Sequence, residues 1–313
     1  MSQPSQWTAE DIPDQAGKTI VVTGANSGLG YEASLQLAGK GAHVVLACRN
    51  SDKAGAALRG IRAAYPQASV EAMDLDLANL ASIRAFAGAL LAKHSSLHVL
   101  CNNAGVMALP HRRTADGFEM QFGTNHLGHF ALTGLLLERL LATPGARVVT
   151  QSSTFHRLGK MRFDDLNWEH GYSKWPAYGQ SKLANLLFAY ELQRRLEAKN
   201  ASLSSVACHP GYASTNLQLA GPQAAESSLK ERGWGLLNRI FAQSAAMGAL
   251  PLLCAATSGD VRGGDYIGPD QFVETWGHPK KVRSNARSRD RTAATTLWTI
   301  SEQLTGVSYG PLS

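Results

Sequence analysis

Lys18-Thr-Ile-Val-Val-Thr23-Gly24-Ala-Asn-Ser-Gly-Leu-Gly30 decides the fold: a β-branched run passes directly into a glycine-rich turn, and a helical pattern follows to about Lys40. Residues Lys18 to Thr23 read as a short strand buried on both faces, as a parallel sheet requires. Gly24, Gly28 and Gly30 allow a tight turn and close approach of backbone to a ligand, with Asn26, Ser27 and Leu29 between them. The helix that follows offers free N–H groups and the positive end of its dipole, which suits a diphosphate. The spacing is G-x-x-x-G-x-G, not the commoner G-x-G-x-x-G, so the strand–loop–helix setting carries the reading.

The same unit recurs along the chain. His43-Val-Val-Leu-Ala-Cys48 is a second strand, ending at Arg49-Asn50. In dinucleotide-binding folds an acidic residue near this point holds the adenosine ribose, whereas an arginine accommodates a 2′-phosphate. Arg49 stands where the acid is missing, which favours NADP(H) over NAD(H), although Asp52 nearby leaves it a second use as a solvated surface group. A third strand, Ser69 to Met73, runs into Asp74-Leu-Asp-Leu77, placing Asp76 and Leu77 at a strand end where an adenine would lie. The fourth, Leu97 to Cys101, is followed by Asn102-Asn-Ala-Gly105, whose small residues Asn103, Ala104 and Gly105 would let backbone pass close to a flat ring. The fifth, Arg147 to Gln151, ends in Ser152-Ser153, and the sixth, Ser205 to Cys208, gives way to His209-Pro210-Gly211 and then Thr215.

Strands alternating with helices, and polar signatures gathered after the strands, predict an α/β fold: a single Rossmann-type doubly wound parallel sheet of about seven strands, helices on both faces. No linker or composition break divides the chain. The expected organisation is a flexible N-terminal arm over 1–11, one dinucleotide-binding catalytic domain over 12–313, and a small helical substrate cap at about 216–244.

Tyr178-Gly-Gln-Ser-Lys182 lies in a segment with Leu183, Leu186, Leu187 and Tyr190 at helical spacing and Pro176 in its first turn. Residues four apart share a helix face, so the Lys182 ammonium is expected to reach toward the Tyr178 phenol. A phenol with its usual pKa of about 10 is a poor acid or base near neutrality; a neighbouring cation would lower that value and make it useful. The pair alone is a weak signal, and its weight comes from the dinucleotide-type signatures before it. Asn125 is a polar residue in an otherwise buried pattern, beside His126 and His129, whose spacing of three resembles a metal pair. No carboxylate or cysteine completes a zinc set nearby, so no metal is expected there.

The net charge of +6 mildly favours anionic ligands, and hydrophobic content of 44% with 17% charged residues is ordinary for a globular protein. No apolar run is long enough for a transmembrane helix, and the first residues lack a secretory signal. The four cysteines, 48, 101, 208 and 254, form no Cys-x-x-Cys pair and read as reduced thiols of a cytoplasmic protein. The basic segment from Lys280 to Arg291 has no interleaved aromatics and reads as a solvated face, not a nucleic-acid site. A homo-oligomer is compatible with all of this.

Taken together, Thr23-Gly-Ala-Asn-Ser-Gly-Leu-Gly30, Asn102-Asn-Ala-Gly105, Ser153, the Tyr178/Lys182 pair and Pro210-Gly211 resemble the short-chain dehydrogenase/reductase family in order and spacing, over nearly the whole chain. Ala47-Cys-Arg49, Asn125-His-Leu-Gly-His-Phe130, the long gap between Ser153 and Tyr178, and Ser181-Lys-Leu-Ala-Asn185 are most similar to the retinol dehydrogenase, WW-domain oxidoreductase and protochlorophyllide reductase branch. The N-terminal apolar segment that anchors many retinol-type relatives is absent, and the cap sequence carries no retinoid signature.

The resemblance implies that Ser153 bonds the substrate oxygen, Tyr178 transfers the proton, and Lys182 tunes Tyr178 and binds nicotinamide ribose. It implies further that Asn125 holds a water linking Lys182 to solvent, that Asn103, Gly105, Pro210 and Gly211 border the nicotinamide, and that Thr215 meets its carboxamide. The expected activity is NADP(H)-dependent interconversion of a carbonyl compound and its alcohol. A double-bond reductase, lyase or epimerase on the same fold, or a silent dinucleotide sensor, would use the same frame. Leu217, Leu219, Leu236, Leu237, Ile240 and Phe241 in the cap, with Phe155, Phe163, Trp168, Tyr172 and Trp175 before Tyr178, point to an apolar substrate. These residues could instead pack the cap against the body.

Overall fold

The computed structural model describes residues 6–212 and 243–312. Thr215 and nearly all of the expected cap at 216–244 lie outside the described residues.

β1 (Thr19–Thr23), β2 (His43–Cys48), β3 (Val70–Asp74), β4 (Val99–Asn102), β5 (Arg147–Gln151), β6 (Ser204–Cys208), β7 (Tyr266–Gln271) and β8 (Trp276–Lys281) form one sheet in the order β3-β2-β1-β4-β5-β6-β7-β8. All neighbours are parallel except β7 and β8. The expected seven or so strands become eight. Lys280 and Lys281 are exposed, as expected of a solvated face, but lie on an edge strand, and further along the same basic segment Arg287 donates to the Gly159 carbonyl at 3.0 Å.

Alternation along the strands builds two cores. Ile20, Val22, Val44 and Leu46 face α1 (Gly28–Gly39), α2 (Ser51–Ala64) and a later helix, Ala245–Thr257. Val21, Val45, Leu100 and Val148 face α3 (Leu80–Lys93) and the helices after β4 and β5. Because successive strand residues point to opposite faces, two apolar stripes per strand require helices on both sides of the sheet. After β4 come α4 (Met120–Phe122), a π-turn at Gly123–Leu127, α5 (Gly128–Leu135) and α6 (Leu137–Ala142). α7 (Lys174–Ala198) follows β5, α8 (Ala245–Thr257) precedes β7, and α9 (Arg291–Thr305) closes the series of described helices.

α9 and the residues after it seal the second core. Trp298 and Tyr309, with ring centroids 4.5 Å apart, pack on Phe130 and Phe188, and the Tyr309 hydroxyl donates to the Phe130 carbonyl at 2.7 Å. Aromatic pairs at such separations add about 0.5–1.5 kcal/mol each to what burial contributes. At the other end the chain docks earlier than the expected boundary at Ile12. Thr8 caps the short turn Ala9–Asp11, and Trp7 packs on the first core.

All four cysteines are free and buried. Among the described residues, no helix is long and apolar enough to cross a membrane.

Candidate active site

The glycine turn is built as a cradle. Gly24 and Gly28 have φ of +67° and +55°, a region L side chains rarely adopt. A Cβ on Gly30 would sit 2.4 Å from the Gly24 carbonyl oxygen and 2.6 Å from Asn103 Nδ2, so the turn folds tightly against the residues after β4. Ser27 occupies the N-cap of α1, yet its hydroxyl makes no capping bond, leaving the first N–H groups of the helix available to a ligand.

Asn103 Nδ2 donates to the Thr23 carbonyl at 2.7 Å, while its buried Oδ1 has no protein partner. Arg49 is exposed at the end of β2, with Nη1 3.9 Å from Asp76 Oδ2. Two expected cofactor contacts on adjacent strands are therefore neighbours, and at this distance the guanidinium keeps its donors free. Leu77 is buried in the second core, with its carbonyl packed against Gly128 of α5.

Thr23 is the hub that sequence reasoning missed. Its Oγ1 accepts from the N–H groups of Asn103 and Ala104, both at 2.9 Å, and lies 3.0 Å from His129 Nε2. His129 Nδ1 is 3.0 Å from the Asn125 carbonyl, which can only accept. The proton of the neutral ring is therefore on Nδ1, and Nε2 accepts the Thr23 hydroxyl hydrogen. That leaves the Cys101 carbonyl, 3.2 Å from the same hydroxyl, without its hydrogen. The spacing of 106 residues between Thr23 and His129 leaves no local signal in the sequence. His126 turns the other way, to Ser301 Oγ at 2.9 Å, so the two histidines serve separate partners.

Burial holds His126 down at about 3 and His129 and His156 at about 4, and it lowers His209 as well. Unfolded histidine titrates near 6.5. Below that pH the unfolded chain takes up protons the folded one refuses, so stability falls as pH drops from about 6.5 toward 4, by about 1.4 kcal/mol per pH unit for each such histidine. Thermal unfolding followed from pH 7 to pH 4.5 should show Tm falling steeply below pH 6. A flat profile would mean these rings are not buried neutral.

The residues expected to react come from β5 and α7. Ser153, just beyond β5, accepts from the Phe155 N–H at 3.3 Å, and its hydroxyl faces the Tyr178 phenol. Tyr178 is buried, and burial pushes its hydroxyl up to about 12, opposed by the Ser153 hydroxyl. Lys182 lies over the phenol ring, its Nζ 5.7 Å from the centroid, and donates to the Gln151 carbonyl at 3.3 Å. Burial lowers this ammonium to about 8. The expectation that Lys182 pulls the Tyr178 pKa down is thus corrected: burial raises the phenol, with only the Ser153 hydroxyl opposing, and the lysine itself is the group brought near neutrality.

Around this pair, Ser152 Oγ donates to the Lys182 carbonyl at 2.8 Å, and Asn185 Nδ2 donates to the Gln151 carbonyl at 2.9 Å. Asn185 stands three residues after Lys182 on the same helix face, a spacing that could have marked it.

Asn125 closes the group. Its Nδ2 donates to the Val106 carbonyl and to Ser181 Oγ, both at 2.9 Å, and its Oδ1 accepts from the Val106 N–H at 2.7 Å. A Cβ on Gly105 would lie 3.1 Å from Asn125 Oδ1 and 3.4 Å from Lys182 Nζ. Asn125, Gly105 and Lys182 therefore meet at one point, reached through the π-turn, an irregularity frequent at functional sites. Gly211, with φ of +67°, presses against the Thr275 carbonyl, which fixes the Pro210-Gly211 loop on the β7–β8 hairpin.

The aromatic insertion divides. Trp175 stacks on Phe155, which in turn meets the Tyr178 ring edge-on with centroids 5.7 Å apart. Phe163 packs into a core cluster, Trp168 is buried beneath Arg162, and the Tyr172 hydroxyl donates to the Leu109 carbonyl at 2.8 Å. Those three serve packing.

The family described as short chain dehydrogenase matches residues 18–224. The chain is a short-chain dehydrogenase. This short-chain dehydrogenase is 42% identical to retinol dehydrogenase 12 of Homo sapiens over 295 residues, covering 94% of this chain and 88% of that one. It is an oxidoreductase acting on CH–OH or C=O groups, and it is retinol dehydrogenase-like.

A crystal structure of an uncharacterized protein from Mycobacterium paratuberculosis, 43% identical, superposes with a TM-score of 0.81 over 97% of this chain and 99% of that one. Short chain dehydrogenases from Shigella flexneri, with NADP, and Burkholderia phymatum, with NAD, each give a TM-score of 0.61. They are 22% and 23% identical, cover 81% and 78% of this chain, and are themselves covered over 97% and 87%. They share the fold.

Proposed function

We propose that this short-chain dehydrogenase interconverts an apolar carbonyl compound and its alcohol with NADP(H), using Tyr178 as proton donor and acceptor. The observation that carries the reading is the convergence of Ser153, Tyr178 and Lys182, with Phe155 and Trp175 as the apolar border.

The residues present fit a dinucleotide. Gly24, Asn26, Ser27, Gly28, Leu29 and Gly30 make the phosphate cradle, and the unpaired Asn103 Oδ1 gives a buried acceptor beside it. Arg49 would take a 2′-phosphate, Asp76 and the Leu77 backbone would border the adenine, and Ala104, Gly105, Pro210 and Gly211 would border the nicotinamide. When bound, the cofactor supplies or accepts the hydride.

Ser153 donates to the substrate oxygen where charge develops. Tyr178 gives that oxygen its proton. Lys182, balanced near neutrality, returns a proton to the phenol side, and Asn125 holds the Val106 backbone beside Gly105, the residue nearest the Lys182 ammonium on that strand end.

The cofactor assignment is tested at Arg49. Arg49→Ala should weaken NADPH binding by about ten- to a hundredfold, the worth of a charge-assisted hydrogen bond, and leave NADH almost unchanged. Equal losses for both, measured by fluorescence titration, would remove the 2′-phosphate role. The substrate assignment is tested with straight-chain aldehydes of increasing length. Each buried methylene contributes about 0.8 kcal/mol, so kcat/KM should climb about three- to fourfold per carbon until the pocket is full. A level series would show that the aromatic border faces the protein.

A further inference from the structure

At the opposite ends of the strands from the active site, three ligand-type side chains converge. His43 opens β2, Glu71 lies on edge strand β3, and His94 caps the C-terminus of α3. His43 Nε2 is 3.1 Å and His94 Nε2 is 2.7 Å from the same carboxylate oxygen, Glu71 Oε1. Among the described residues these form the sole cluster of at least three histidine, cysteine or acidic ligands, with one ligand atom from each within 4.8 Å of the others.

The sheet register explains the meeting. Glu71 pairs with Val45, so it points to the same face as His43, two residues earlier, and that face is the one α3 covers. Edge strands are commonly protected by a charge, and a single lysine–glutamate pair would do that. Here two imidazoles are added, each aimed at one oxygen.

We propose that His43, Glu71 and His94 bind a divalent cation of the zinc type. Two imidazole nitrogens and one carboxylate oxygen, with a fourth position open to water, form a donor set that suits Zn²⁺. Tetrahedral bonds of about 2.0–2.2 Å put ligand atoms roughly 3.3–3.6 Å apart. The present separations of 3.1 and 2.7 Å need to open by roughly 0.2–0.9 Å to reach that spacing, a movement that side chains only partly buried can supply.

The outer partners are also in place. Ser69 Oγ is 2.7 Å from His43 Nδ1, and Lys93 pairs with Glu71 Oε2, leaving Oε1 to the two rings. Such partners fix ring tautomer and carboxylate orientation in metal sites. The bound ion would join β2, β3 and the end of α3, stabilising the sheet edge without touching the reacting groups.

The test uses the full chain after treatment with a chelator, titrated with Co²⁺ as a visible probe and then with Zn²⁺. One equivalent of Co²⁺ should give a d–d absorption of a four- or five-coordinate site, displaced by one equivalent of Zn²⁺, and Zn²⁺ should raise Tm. His43→Gln and His94→Gln should each weaken Zn²⁺ binding at least tenfold, and Ser69→Ala about ten- to a hundredfold, with activity retained in all three. If the folded wild type binds no ion, or the double variant H43Q/H94Q binds it equally well, the proposal fails. Should the variants not fold, X-ray absorption of the wild-type Zn²⁺ complex decides. Scattering from two imidazole rings supports the site, and a thiolate or all-oxygen shell overturns it.

Discussion

Tyr178→Phe should lower turnover by two to four decades while the protein remains folded and binds its dinucleotide. The ring keeps its edge contact with Phe155 and its place beneath Lys182, so packing is unchanged and only the hydroxyl is lost. The magnitude is that of removing a positioned general acid/base. Within this cleft no other described hydroxyl combines burial, a Ser153 partner and a neighbouring lysine. Single-turnover reduction of an aldehyde by the variant, beside a Tm and a cofactor titration, separates chemistry from folding. Turnover near the wild-type rate with intact binding would take Tyr178 out of the reaction.

Ser153→Ala should cost about a hundred- to a thousandfold in kcat, the range for loss of one donor to a developing oxyanion. The loss should appear in kcat with KM little changed, because the bond strengthens as charge develops. A second effect follows from the geometry. The Ser153 hydroxyl opposes the rise that burial imposes on Tyr178, so its removal moves the phenol's pKa still higher. A loss confined to KM would make Ser153 a contact for the resting substrate only.

The parallel strands were legible because runs such as Ile20-Val-Val and Val44-Val-Leu are apolar, rich in β-branched residues, uninterrupted and followed by turn chemistry. β8 was not. Trp276-Gly-His-Pro-Lys-Lys281 carries glycine and proline and no β-branched residue, which an edge strand tolerates and a sequence pattern does not reveal.

Within the site, the glycine turn and the Tyr178/Lys182 spacing are local features and stood out. The Thr23–His129–Asn125 chain joins residues up to 106 positions apart and depends on three elements packing together. The balance between desolvation and charge at Tyr178 depends on how much protein surrounds it, which spacing cannot express. The same holds for the aromatic insertion, where Phe155 and Trp175 border the cleft while Trp168 turns inward, although all are equally apolar on paper.

The aromatic seal made by α9 has a consequence for how the chain is synthesised. Phe130 and Phe188 emerge from the ribosome long before Trp298 and Tyr309, and the hydroxyl that closes on the Phe130 carbonyl arrives 179 residues later. Arg84 waits longer still, for the Thr305 carbonyl 221 residues on. Throughout that interval the nascent chain carries an open apolar face, the state that chaperones hold and proteases sample. Premature termination anywhere before Trp298 would leave that apolar face uncovered.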